Sequence, residues 1–378
     1  MVQHRRRVTK GQTALKAGLR SQGFALPSRS YTGPDVNLRA LRNRLLISLL
    51  LGIVVFAGLS IYADFRDVLH SLSEFNWALL PLILFLTTLN YVLRFVKWEY
   101  YLRLIGVRGL SKRDSFLIFF SGLGMVITPG KVGEWLKSYL LREVHGTPIA
   151  RSAPILVAER LTDSLALLVL AAAGVFVFGD FWQVFVAVAV GVVAIVAIAR
   201  HRPTAHALLA FGKRLPVARR FVPQLEEFYE SSYVLLAPRA TIEMSALSVV
   251  SWFFEVLGFY FTLIGLGVGH SGDLLLHAAF ILPIATLASA ISFAPGGLGV
   301  AEGGITGLSK ALLHIGKSQA AVGTLIIRFG TLWFGVIVGL ICFGILNRRL
   351  AEQTEAKAET PIVPPALDET ILRPEAPP

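Results

Sequence analysis

The sequence is short of charge, of cysteine and of recognisable catalytic clusters, and each shortage excludes something. Only 16% of its 378 residues are charged, where a soluble domain carries about 25%. A soluble enzyme is excluded on that ground. The single cysteine, Cys342, rules out an internal disulfide, a four-cysteine metal site and a CxxC redox pair. The eight His are scattered, so neither a metal nor a cofactor is expected. No GxxxxGK[ST] loop occurs, which removes a P-loop ATPase as an internal energy source. No nucleophile motif accompanies the carboxylates, and the chain is expected not to be an enzyme.

What is present is apolar. Hydrophobic residues make up 54% and the mean hydropathy is +0.64, with several uncharged runs close to the ~20 residues that cross a bilayer. The pattern predicts an all-α polytopic membrane protein: about six full transmembrane helices plus two re-entrant helical hairpins in an inverted repeat. The helices are expected at 45–62, from Trp77 past Arg94 and Trp98, at about 151–178, 181–199, 241–267 and 318–346. Two regions, 113–145 and 273–313, are apolar but broken by Pro and Gly.

The net charge of 36 − 24 = +12 is unevenly placed. Residues 1–44 hold ten basic residues against Asp35, or +9. Such a segment suits a nucleic-acid arm, an organellar transit peptide, or a basic flank that keeps the N-terminus in the cytoplasm. The flank is preferred because an apolar span follows at once. With the N-terminus inside, the basic loop 103–113 and segment 200–240 fall inside, and 63–76 and 268–273 fall outside. Every loop then obeys the positive-inside rule. Segment 200–240 reads as a cytoplasmic amphipathic linker, with Arg214, Arg219 and Arg220 toward headgroups, or as a simple tether. The segment 347–378, with six Pro after residue 350, is expected to be a disordered cytoplasmic tail.

The two broken regions share a motif. Pro129-Gly130-x-x-Gly133 matches Pro295-Gly296-x-x-Gly299 at an offset of 166, and the stretch around Arg160 matches that around Arg328 at 168. Helix, broken segment and helix therefore recur, with repeat 1 at 77–178 and repeat 2 at 241–346, running in opposite directions. A chance pair of PGxxG sequences and two ordinary kinked helices are the alternatives. Irregular backbone at membrane depth survives only against protein or water. The breaks should therefore meet at a cavity, with half-helix N-termini aimed into it and inviting anions.

Ionisable residues within spans mark the same place, since such residues are costly there and face a cavity or a partner. Arg160 and Arg328 each lie about 13–15 Å along their helices at 1.5 Å per residue, near the middle of a ~30 Å core. Glu159, Arg160 and Asp163 share one turn and could neutralise one another or handle substrate. Lys131, Glu134 and Lys137 decorate the first half-helix and Glu302 the second, while Glu255 calls for a partner such as Arg160 or Arg328. Arg94 is a weaker candidate. For Lys97, snorkelling to the interface suffices.

At these residues a family resemblance emerges. RFVKW (94–98), TPGKVGEWLKSYLL (128–141), APILVAERLTDSLALL (153–168) and APGGLGVAEGG (294–304) resemble the flippase-like family, whose best-known member is the membrane region of lysylphosphatidylglycerol synthases. The resemblance covers about 40–346 and implies an integral membrane protein of lipid-translocase type in the bacterial inner (plasma) membrane, with both termini cytoplasmic. The synthases also carry a large soluble aminoacyl-transfer domain. Only some 30 residues follow the last helix here, so aminoacylation by this chain is not expected. The expected partner is a membrane lipid with an anionic phospholipid or polyprenyl-phosphate headgroup, with a lipid-synthesising or glycosyltransferase partner and no nucleic acid. The alternatives are a non-transporting lipid scaffold and a membrane-embedded lipid-modifying enzyme.

Overall fold

The computed structural model describes residues 50, 52–59, 61–126, 135–178, 221–292 and 295–359, with isolated positions between 183 and 203. The expectations on 1–44, on Pro129, Gly130, Lys131, Gly133 and Glu134, on Arg214, Arg219 and Arg220, and on 360–378 lie outside them. The described residues up to Gln353 gather into one compact unit. Among the described residues every regular element is helical.

A short amphipathic helix, α1 (Phe65–Glu74), starts at Asp64, whose side chain accepts from the Arg66 amide. Asn76 caps the 3-10 turn Trp77–Leu79, which runs into α2 (Leu80–Leu104). α3 (Lys112–Leu123) starts at Ser111, whose hydroxyl accepts from the Asp114 amide. α4 (Leu136–His145) stops at Gly146, which takes the left-handed conformation (φ 77°) that ends helices cheaply. Then follow α5 (Ile149–Phe178), α6 (Val222–Leu235), α7 (Pro238–Gly265), α8 (Gly272–Ile291), α9 (Val300–Leu313) and α10 (Lys317–Arg328). A π-helical turn, Phe329–Trp333, joins α10 to α11 (Phe334–Glu359). The described part of the first expected span, 52–59, is helical, as are the described positions within 181–199.

Four helices are long and apolar enough to cross a membrane among the described residues: Trp77–Leu104, Pro238–Gly265, Gly272–Ala290 and Lys317–Glu352. Gly272–Ala290 departs from expectation, which gives that stretch to half of a re-entrant hairpin. With 20 residues, α8 reaches about 30 Å, a full core thickness, because Pro283 sits inside it without ending it. The first broken region is different. α3 and α4, of 12 and 10 residues, reach only about 18 and 15 Å. The last helix also needs correcting: it continues to Glu359 rather than stopping at 346. Residues 350–359, LAEQTEAKAE, are strong helix formers despite their polarity. In the second half of segment 200–240 the described residues form α6, which packs on α5 and buries Val222, Ser231, Ser232 and Leu235.

The element order α2, α3, break, α4, α5 recurs as α7, α8, break, α9, α10. The first members, α2 and α7, pack most extensively on each other. Asn90 and Ser251 lock that pair reciprocally: Asn90 Nδ2 donates to the Ser251 carbonyl (2.9 Å) and Ser251 Oγ to the Asn90 carbonyl (3.1 Å). Small residues set the closest approaches, as is usual where helices meet in a membrane. A Cβ on Gly124 would lie 3.0 Å from the Gly339 backbone, so α3 and α11 meet backbone to backbone. One apolar cluster joins Ile83, Ala171, Val256 and Phe259 with α8 and α10, and a second joins Trp98, Ile118, Leu141, Ala158 and Met244. They occupy opposite ends of α2, α5 and α7. The charged residues lie in the zone between.

Candidate functional site

Two interrupted stretches of helix build one wall of a cavity of about 150 Å³. The first is the turn at 295–299. Gly296, Gly297 and Gly299 all have positive φ (58°, 70° and 86°), a conformation a side chain would strain. The second is the π turn after Arg328. Its irregular ladder lets the Thr331 carbonyl accept from the Tyr91 hydroxyl at 2.5 Å. A Cβ on Gly335 would run into that same hydroxyl. Tyr91 thus owes its seat to a missing side chain.

Among the described residues, the charged ones lining the cavity are Arg94 of α2, Arg160 of α5, Glu255 of α7 and Arg328 of α10, a formal 3 − 1 = +2. Thr286 and Ser289 of α8, Tyr91, Trp252 and Thr331 supply polar and aromatic surface. Arg94 stands over the Trp252 ring, 5.9 Å from its centroid. A polar recess with three guanidinium groups at the junction of four helices suits an anion, because a guanidinium matches phosphate or carboxylate oxygens with paired donors.

Three buried ion pairs frame this recess, and they correct the pairing expected from sequence. Glu159 and Asp163 reach lysines on other helices. Lys137 Nζ of α4 lies 2.5 Å from Glu159 Oε2, with its ammonium over the rings of Trp98 and Phe119. Lys97 Nζ donates to Asp163 Oδ1 (2.5 Å), Ser248 Oγ (2.7 Å) and Thr162 Oγ1 (3.3 Å). All three of its protons are placed. The Lys97 side chain is 2% exposed, so it does not snorkel: it ties α2, α5 and α7 together. Arg94 is a second, more distant partner for Asp163 at 3.9 Å.

The third pair closes the turn. Arg328 Nε donates to Glu302 Oε1 (2.6 Å) and its NH2 group to the Gly296 carbonyl (2.7 Å). Glu302 Oε2 in turn accepts from the Gly299 amide (2.7 Å). This changes the expected role of the second half-helix. The motif leads one to expect the Gly299 amide aimed at an anion, but the chain's own Glu302 takes it, and neither residue lines the cavity. Arg328 takes Glu302, not Glu255, as its carboxylate. Among the described residues the Glu255 side chain, which is buried, makes no hydrogen bond and no ion pair.

Of the residues picked from sequence, Arg94, Arg160, Glu255, Gly296 and Arg328 therefore line one cavity, and Glu159, Asp163, Gly299 and Glu302 support its walls. Pro295 lies in the 3-10 turn Pro295–Gly297 beside it. Sequence reasoning misses Lys97 and Lys137 as inter-helix ties, and Tyr91, Trp252 and Thr331 as lining. A signal for the last three exists. Each stands three residues from a charge within a span (Tyr91 from Arg94, Trp252 from Glu255, Thr331 from Arg328), and i,i+3 neighbours share a helix face.

An all-helical membrane protein with a buried, arginine-lined cavity between interrupted helices is the class these features define. Residues 49–339 match the family described as the lysylphosphatidylglycerol synthase TM region. The chain belongs to that family. It is also 25% identical over 333 residues to a UPF0104 membrane protein of Methanothermobacter thermautotrophicus, covering 80% of this chain and 93% of the relative. It is 24% identical over 362 residues to the glycosyltransferase AglD of Haloferax volcanii, covering 84% of this chain but only 57% of AglD.

Proposed function

We propose that this protein carries a lipid with an anionic headgroup across the bilayer, the headgroup held in the cavity and the acyl or prenyl tails in the membrane. The observation that supports this most is the set of three arginines, Arg94, Arg160 and Arg328, from three helices around one recess with a single carboxylate among them. One wall of that recess is interrupted helix, the usual way to place a polar site at membrane depth. The recurring element order supports an inverted repeat, with α2 and α7 as its paired first helices and the first broken region as a re-entrant hairpin. In this reading both termini face the cytoplasm of a bacterial cell, and the chain moves its lipid without altering it chemically.

Reconstitution tests the proposal. Full-length protein in phosphatidylcholine liposomes, seeded with fluorescent phosphatidylglycerol or polyprenyl phosphate, should speed the exchange of the labelled lipid between leaflets. Rates equal to those of protein-free vesicles for both lipids would remove it.

The match to AglD, which is named a glycosyltransferase and of which this chain spans 57%, favours a second reading. Here the chain presents a lipid to a separate synthase. A stable synthase partner recovered together with unchanged exchange rates would select this reading over transport.

A further inference from the structure

Four carboxylates stand around the cavity among the described residues, and three of them are engaged. Glu159, Asp163 and Glu302 each lie 2.5–2.6 Å from a lysine or arginine. The fourth, Glu255, is 6% exposed, lines the cavity and makes neither an ion pair nor a hydrogen bond among the described residues. A buried carboxylate with its oxygens left to a cavity is costly unless something visits it.

The surroundings indicate the visitor. From α2, Tyr91, Arg94 and Lys97 face this region; from α5, Arg160 and Asp163; from α10, Arg328. α8 contributes only Thr286 and Ser289. With the cavity empty, Arg94 and Arg328 favour the charged form of the Glu255 carboxylate against the cost of its burial. An anionic headgroup that settles among those arginines uses up their field and brings a second negative charge beside Glu255. The carboxylate is then held more cheaply as the acid.

The geometry points to Glu255 as a proton-binding site, so that one proton enters the cavity with each anionic headgroup. This inference rests on the anion-site reading above. The charge of the described lining supports it: 3 − 1 = +2 with Glu255 ionised and the site empty, and again +2 with a monoanionic headgroup bound and Glu255 protonated. The proton comes from water on the side where the lipid enters, bonds to a Glu255 carboxylate oxygen, and leaves to water on the other side when the lipid leaves. No bond in the lipid is made or broken. A monoanion and a proton crossing together move no net charge, so a pH gradient drives the step and the membrane potential does not.

Calorimetric titration of the full chain in maltoside micelles tests this. The probe is dioctanoyl phosphatidylglycerol, a phosphodiester whose own charge is fixed near neutral pH, run at one pH in buffers of different ionisation heat. Dimethyl phosphate, run alongside, shows whether the phosphodiester alone is recognised or the lipid is required. Wild-type protein should take up about one proton per ligand bound with whichever probe binds, since binding and protonation are reciprocally linked. Glu255→Gln should bind the same probe at least as tightly with the uptake lost. Binding by wild type without proton uptake overturns the proton site and leaves the anion reading standing, whether or not the variant folds. Uptake that persists in Glu255→Gln overturns it too, as does binding that needs sodium in place of a proton. Failure of both probes to bind, with Arg160→Ala indistinguishable from wild type, removes the anion reading and this inference with it.

Discussion

Replacing Lys97 by methionine keeps its length and removes its charge and its three hydrogen bonds. Asp163, whose side chain is 5% exposed, then keeps Ser248 Oγ at 3.0 Å, the distant Arg94 at 3.9 Å and the field of Arg160. Removing one partner of a buried pair costs about 3–5 kcal/mol, because the survivor stays desolvated. Arg94 recovers part of this: a charge at that distance contributes about 4 kcal/mol at an effective dielectric of 20, before its own desolvation is counted. The lower end, about 3 kcal/mol, is therefore expected for Lys97→Met. Denaturation by SDS in mixed micelles measures it. A second consequence follows if Arg94 swings toward Asp163, since it then leaves the cavity and headgroup binding should weaken. The double variant Lys97→Met with Asp163→Asn removes the stranded charge and should regain about 2 kcal/mol of the loss. A single variant within about 0.5 kcal/mol of wild type, the range of an ordinary surface change, would refute the buried tie. So would a double variant no more stable than Lys97→Met alone.

Arg328→Ala should lower both stability and lipid exchange, since Arg328 holds the 295–299 turn as well as lining the cavity. Adding Glu302→Gln should restore stability, measured by the same denaturation, but not exchange. Arg160→Ala should abolish exchange, and Arg160→Lys should only partly substitute, because lysine lacks the paired donors; the liposome assay reads both. Gly335→Ala should push Tyr91 off the Thr331 carbonyl at a cost of about 1–3 kcal/mol for overpacking, visible in denaturation and as slower exchange. With Cys342 replaced, a cysteine at Ser271 should react with an impermeant reagent added outside whole cells, and one at Arg103 only after lysis; the opposite pattern would invert the orientation.

Much of this protein is decided by sequence alone, and the reasons are local. Apolar runs and the near absence of charge within them specify membrane helices whatever they later pack against, because an unsatisfied backbone in hydrocarbon leaves no other choice. Pro295-Gly296 and Gly299 announce a break, since the first residue cannot donate and the glycines accept positive φ. The cost of an arginine in a span singles out Arg160 and Arg328 from their place in the chain alone. Helix ends are less legible: LAEQTEAKAE continues α11 to Glu359 because propensity there outlasts hydrophobicity. Pairing is not legible at all. Glu159, Arg160 and Asp163 look like a self-contained cluster on one turn, yet Glu159 and Asp163 bond to Lys137 and Lys97, 22 and 66 residues away. Which carboxylate is clamped and which is left to the cavity depends on helix rotation and on close approaches at Gly122, Gly124 and Gly335. Ion-pair energy falls with distance in space and not along the chain, so only the tertiary structure could decide that Glu302 goes to Arg328 and that Glu255 faces three arginines across an open cavity.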